Sequence, residues 1–253
     1  MNTFFSRVTK IFQKKTVLAL TAVLSIASGF FVANLVSAVA PDVVVSPVMV
    51  KGGSVGTTYD FNITNNLTAP IYDITITAPA GFTVTDKLVC PEGWANHRST
   101  ASLVECLGNG DPASELFIPV GGQGVVSFSA TAPSNDSVTP WNVEFVDSAY
   151  AHHSYIPITT VDATAPVTAI SQTDTEWHKG SVSITLTPSD VGGSNVASTH
   201  YKINDGAWNT YTAPFEVSTQ GINSVSYYSI DGVENTEATK SVESIKIDNV
   251  APE

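Results

Sequence analysis

An all-β fold follows from three features of this sequence. Beyond residue 41 no segment sustains a 3.6-residue apolar period, whereas period-two alternation recurs. Gly, Pro and Asn punctuate the alternating runs at short intervals. The pattern Asp-x-x-Ala-Pro occurs twice, at Asp162-Ala163-Thr164-Ala165-Pro166 and at Asp248-Asn249-Val250-Ala251-Pro252, which is how a repeated joint reads. Together they predict two antiparallel β-sandwiches in tandem behind an N-terminal signal or anchor helix, with 1–38 as leader, 41–161 and 162–248 as sandwiches, and 249–253 as the start of a linker or of a further repeat.

The leader is read from charge. Arg7, Lys10, Lys14 and Lys15 precede an uncharged run from Thr16 to Pro41 that ends in the small residues Ser37, Ala38 and Ala40. This is the pattern of a secretory signal peptide. A cut after Ala38 is favoured, because one after Ala40 would leave Pro41 at the new terminus. The run is also long enough to span a bilayer as an uncleaved anchor. Either outcome places everything after residue 41 outside the cell, with contact to a membrane only through that helix if it is retained.

The remainder is acidic: seven of the eleven Lys and Arg lie beyond the leader, against all 23 acids. A phosphate-binding stripe is absent from such a sequence, which excludes nucleic acid as a partner. The two cysteines, Cys90 and Cys106, are expected to form a disulfide in an oxidising compartment, since no second Cys or His stands at chelating spacing.

In the first sandwich, Tyr59, Phe61 and Ile63 alternate with Asp60, Asn62 and Thr64, and Tyr72, Ile74 and Ile76 with Asp73, Thr75 and Thr77. Each run buries one face and wets the other. Val125 to Ala130 and Trp141 to Val146 supply later strands, and the cysteines lie in a long excursion between Asp86 and Leu116. The series Tyr59 to Asn66, then Asp73 to Ile76, then Pro79-Ala80-Gly81-Phe82 is similar to a family of Ig-like repeats in prokaryotic surface proteins. The excursion is no part of that pattern.

In the second, strands are expected at Ser181 to Thr187, Thr199 to Ile203, Ala207 to Tyr211, Phe215 to Ser218, Ser224 to Ile230 and Lys240 to Ile247. With the opening segment Val167 to Ile170 they number seven, the immunoglobulin count. Asn204-Asp205-Gly206 is expected to join two of them, Asp-Gly supplying the positive φ angles of a tight turn. Ala197 to Trp208, followed by Tyr211-Thr212-Ala213-Pro214-Phe215, resembles the Ig-like repeat of bacterial surface and secreted proteins, the outer-surface-protein-type β-barrel domain. That resemblance covers nearly all of 162–253 and implies a tandem repeat attached to surface anchors or to secreted enzymes. The family commonly ends its sixth strand with Asp-x-x-Gly-Asn, where Asp231-Gly232-Val233-Glu234-Asn235 carries Glu instead of Gly.

Five sets of residues invite chemistry. Gly52-Gly53-Ser54-Val55-Gly56 matches a nucleophile elbow in letters, but it leads into a strand where the elbow needs a helix. His152 and His153 are adjacent and point to opposite faces of a strand, so they cannot chelate one ion together. The acids Asp162, Asp190, Asp231, Glu234 and Asp248 flank the ends of the second sandwich, where oxygen ligands from two domains would hold Ca²⁺, with Ser189 to Asn195 as an oxygen-rich loop; ordinary Asx turns account for the same residues. The aromatics Trp94, Trp208 and Tyr211, with Trp177 and Tyr228, would form a sugar-binding platform if exposed, and a core if not. Sequons stand at Asn62, Asn66 and Asn135, with Asn62 on the wet face of its strand.

The functional expectation is an exported, non-catalytic spacer or adhesion segment at a cell surface, needing no cofactor beyond the Ca²⁺ just described and meeting an extracellular protein or glycan. The alternative is an accessory carbohydrate-binding segment of a secreted hydrolase.

Overall fold

The computed structural model describes residues 41–94, 96–108, 116–172 and 175–251. The leader, its cut after Ala38 and the retained-anchor alternative lie outside these residues, as do Pro252 and Glu253. Within them every regular element is a strand.

Twelve strands occupy the N-terminal part. They are β1 (Asp42–Ser46), β2 (Met49–Lys51), β3 (Thr57–Thr64), β4 (Ile71–Thr77), β5 (Thr83–Val89) and β6 (Asn96–Thr100). Then come β7 (Leu103–Leu107), β8 (Gln123–Thr131), β9 (Ser137–Pro140), β10 (Asn142–Asp147), β11 (His152–Tyr155) and β12 (Ile158–Asp162). They form sheets ordered β1-β3-β8-β5, β11-β10-β4-β7-β6 and β2-β12-β9.

The alternation read from sequence explains the packing. Tyr59, Phe61 and Ile63 of β3 and Val126, Phe128 and Ala130 of β8 turn inward from one sheet, and Ile74, Ile76, Val143 and Phe145 from another; all join one buried cluster. Trp141 is fully buried at its centre, 4.9–5.8 Å from the rings of Phe82, Phe61, Tyr59 and Phe128. Its indole nitrogen donates to Thr159 Oγ1 at 3.0 Å, which removes the cost of burying a donor.

The cysteine excursion contributes strands to a sheet. Its middle is a hairpin, β6 to β7, that extends the five-stranded sheet, and Cys90 is bonded to Cys106 with their Cα atoms 5.6 Å apart. A loop of this length contributes about 3 kcal/mol by restricting the unfolded chain. Trp94 is only 7% exposed and belongs to the same buried cluster, so it presents no open ring to a ligand.

Nine strands follow: β13 (Val167–Ile170), β14 (Trp177–His178), β15 (Val182–Ile184), β16 (Leu186–Ser189) and β17 (Val196–Ile203). The last are β18 (Asn209–Thr210), β19 (Phe215–Val217), β20 (Gly221–Asp231) and β21 (Lys240–Ile247). Their sheets are β13-β16, β15-β19 and β14-β21-β20-β17-β18. A second, smaller cluster lies among them: Val182, Ile184, Leu186, Val217, Val225, Tyr227, Ile245 and Ile247.

Two sequence expectations change here, and one open alternative closes. The run Ser181 to Thr187 keeps its inward alternation but divides at Thr185, because β15 pairs with β19 while β16 pairs with β13. In the turn after β17 the positive φ falls on Asn204 (51°), not on Asp205-Gly206, and the loop runs to residue 208. Trp208, for which the sequence allowed either an exposed platform or the core, is 42% exposed on the outer face of the large sheet. At the position where the resembled family has Gly, Glu234 adopts a φ of 70°, so the left-handed turn is kept in spite of the side chain.

Candidate metal centre

The last residue of β12, Asp162, is fully buried. Its carboxylate reaches beyond its own sheet: Oδ2 accepts from the Ser194 backbone N–H at 2.9 Å, and Oδ1 from Thr164 at 3.0 Å. Its carbonyl oxygen accepts from Gly52 N–H at 2.8 Å and from Asn235 Nδ2 at 3.0 Å. Asp162 thus ties the end of the N-terminal strands to two loops of the C-terminal ones. Lys51 crosses the same boundary, its ammonium donating to the Glu234 carbonyl at 2.8 Å. Asp136 fastens the connecting segment from the other side, accepting from Ala163 N–H and Thr164 Oγ1; these bonds hold its carboxyl below the ordinary value.

Asp231 ends β20 at 2% exposure and closes an Asx turn, accepting from the backbone of Val233 and Asn235 and from Asn235 Nδ2. Asp190 opens the loop after β16; its Oδ1 accepts from Gly192 N–H, while its Oδ2 is buried without a partner, as is Ser194 Oγ. Asp162, Asp190 and Asp231 each bring one oxygen within 4.8 Å of the others. Gly192 permits the approach, since a Cβ there would lie 1.9 Å from Asp162 Oδ1.

Three carboxylates so close repel one another by roughly 3 kcal/mol per pair at an effective dielectric of about 20. Among the described residues no Lys, Arg or His forms an ion pair with any of them. The donor set is all oxygen, which suits a hard divalent cation such as Ca²⁺. Backbone N–H groups satisfy part of Asp162 and Asp231, leaving the buried Asp190 Oδ2 as the oxygen with nothing to bond.

The other acids expected at this site lie elsewhere. Glu234 is exposed, with its side chain outside the group, and Asp248 stands at the opposite end of the C-terminal strands, where Oδ1 accepts from Gln220 Nε2 and Val250 N–H. Asp248 repeats the local turn of Asp162, whose Oδ1 likewise accepts from the residue two positions on. Asn235 and Asp136 carry much of the joint and were not singled out from sequence. An Asn beside the expected Asp231 turn was the available signal for the first, and Asp136 offered none.

The remaining candidates separate. Ser54 lies in the turn from β2 to β3, a strand-to-strand connection. His153 pairs with Asp147 at 2.9 Å; burial opposes that carboxylate's charge, but the bonds from His153, Ala151 and Ala149 outweigh it and hold the carboxyl below its usual value. Tyr211 packs edge-on to Tyr201 and Phe215 beside the second cluster, apart from exposed Trp208. Asn62, Asn66 and Asn135 are all exposed.

No protein-family model matches the chain, and no curated protein matches its sequence. Among solved structures, the fibronectin(III)-like modules of Clostridium thermocellum CbhA align at 13% identity over 84% of this chain and 98% of theirs, with a TM-score of 0.33. A variant of BcpA, the major pilin subunit of Bacillus cereus, aligns at 7% identity over 82% of this chain and 68% of its own (TM-score 0.36). The C-terminal domain of the Streptococcus agalactiae AgI/II polypeptide BspA aligns at 9% over 81% and 99% (TM-score 0.38). The all-β assignment rests on the strands described above and not on these likenesses.

Proposed function

We propose that the chain is a non-catalytic, exported cell-surface segment whose two Ig-like sandwiches, 41–161 and 162–248, act as a spacer and adhesion module with a cation-held joint. The observation that carries this reading is the meeting of Asp162 with Asp190 and Asp231 across the boundary between the two buried clusters. A spacer works by holding distance, and a joint fixed by buried hydrogen bonds transmits orientation where a free linker would not. A divalent ion such as Ca²⁺ would neutralise the converging charge and stiffen the joint further. The partner on this reading is a cell-surface or extracellular protein or glycan, and the sequons at Asn62, Asn66 and Asn135 are sites where attached sugars would point outward.

A thermal melt with Ca²⁺ and with chelator tests the joint. Added Ca²⁺ is expected to raise the midpoint, and Asp190→Asn, which removes charge from the least-bonded acid, to abolish that response with the folded baseline intact. A melt indifferent to both Ca²⁺ and chelator sinks the cation. Small-angle scattering separately tests the spacer: two sandwiches flexing freely in the presence of Ca²⁺ would contradict it.

A further inference from the structure

The large sheet of the C-terminal part has one face on the core and one in the open. Along β20, Asn223, Val225, Tyr227 and Ser229 are buried, so Ile222, Ser224, Ser226 and Tyr228 point outward. Strand register then sets what shares that outer face. His200 lies beside Tyr228 and Lys202 beside Ser226 on β17, and Lys246 of β21 beside Ile222. Trp177 of β14 adjoins Lys246.

This face carries one arrangement twice. Trp208 is 42% exposed, with the Lys202 ammonium 5.5 Å from its ring centre. Trp177 is 56% exposed, with the Lys246 ammonium 6.0 Å from its own. Trp208 is also held edge-on against Tyr228 at 4.8 Å, and Tyr228 is stacked on His200 at 5.1 Å, so the indole is braced. Neither ammonium has a carboxylate partner within 4.0 Å among the described residues. The two lysines stand two strand spacings and four residues apart, roughly 15–20 Å, each with its indole toward an opposite corner of the sheet. Ser226 of β20, in register with Lys202, adds a hydroxyl to the face.

We propose that this face binds an extended, carboxylate-bearing polysaccharide. Exposed indoles stack on the C–H faces of sugar rings, and the ammonium over each ring, on a flexible stem that a stacking sugar would move to the rim, supplies the counter-charge for a carboxylate on the stacked residue. Charge complementarity chooses the occupant: in a chain with 23 acids and seven basic residues beyond the leader, two unpaired lysines on one open face are set apart from the general field. Glu243 lies exposed on this same face, where it accepts from the Ser241 hydroxyl, so the two lysines stand against one carboxylate there. The spacing calls for a polymer, since one sugar reaches one corner only. This inference is independent of the joint and of any cation there.

Calorimetric titration of the whole protein with an oligogalacturonate long enough to span both rings tests it, beside the methyl-esterified oligomer, which keeps the rings and loses the charge. Binding of the acid form is expected, weakened at least tenfold by Trp208→Ala or Trp177→Ala and abolished by both. Lys202→Gln with Lys246→Gln is expected to reduce the acid form to the level of the ester. Each variant is checked for an unchanged melt. No binding by the parent protein overturns the proposal, as does binding that survives the double tryptophan variant. Equal binding of acid and ester overturns the assignment of a carboxylate.

Discussion

The two halves of the chain solve the same architectural problem with different materials. The N-terminal strands enclose a large aromatic core around Trp141 and add a disulfide. The C-terminal strands enclose eight buried apolar residues and supplement them with a buried polar network. In that network Glu237 accepts from Thr168 N–H, Thr168 Oγ1 and Ser229 N–H, Lys240 pairs with it at 2.6 Å, and the Ser229 hydroxyl also meets those of Thr168 and Thr199. One half is held chiefly by apolar area and a covalent tie. The other depends on satisfied polar groups, which stabilise only while every partner is present.

That contrast predicts which change injures which half. The largest effect is expected from Trp141→Ala, which empties the centre of the aromatic cluster and should destabilise the N-terminal half by about 3–5 kcal/mol. Denaturant unfolding followed by Trp fluorescence and by hydrogen exchange would check it, with protection in β20 and β21 unchanged. Equal loss in both halves would erase the distinction.

Acid should act on both halves, through Asp147 in the N-terminal one and through Glu237 in the C-terminal one. Burial works against the charge of Glu237, but the bonds from Lys240 and Thr168 outweigh it and hold its carboxyl below the ordinary 4.5. A carboxyl depressed in the folded state stabilises above its unfolded pKa, and that contribution is lost as pH falls through the folded value. Acid melts below about pH 4.5 should therefore loosen the C-terminal half, and Glu237→Gln should flatten that dependence while lowering stability at neutral pH. An unaltered acid profile in the variant would remove Glu237 from the account.

The smallest expected effect is a gain. Glu234 pays for a left-handed backbone that glycine adopts freely, so Glu234→Gly should raise the stability of the C-terminal half by up to about 1 kcal/mol. The Lys51 bond goes to the backbone carbonyl and survives the change. A lowered midpoint would mean that the exposed carboxylate contributes something beyond its turn.

Much of this was legible in the sequence because period-two alternation is a local property. Tyr59 to Ile63 and Ser224 to Ile230 could be assigned inside and outside residue by residue. What escaped depends on where a strand's partners lie. Nothing in Ser181 to Thr187 announces that its halves pair with different strands. Trp94 follows a cysteine in a polar stretch, and only the folding of β6 and β7 into the sheet accompanies its burial. The joint was half visible: the repeated Asp-x-x-Ala-Pro marked Asp162, and turn chemistry marked Asp190 and Asp231. The same repeat also drew in Asp248, which has the same local turn at the far pole, since a repeated pentapeptide specifies local geometry and not the surroundings that complete it.

The parallel pairings have a consequence under tension. In each half a strand near the beginning lies parallel to the last: β2 beside β12, with Met49, Val50 and Lys51 opposite Thr160, Val161 and Asp162, and β14 beside β21, with Trp177 and His178 opposite Lys246 and Ile247. A pull along the chain drags such neighbours in opposite directions, so the rungs between them are sheared together and not peeled one after another. Three residue pairs resist in the first half and two in the second. Stretched from its ends, the molecule should give way first beyond Asp162, where the clamp is shorter and no disulfide limits the extension.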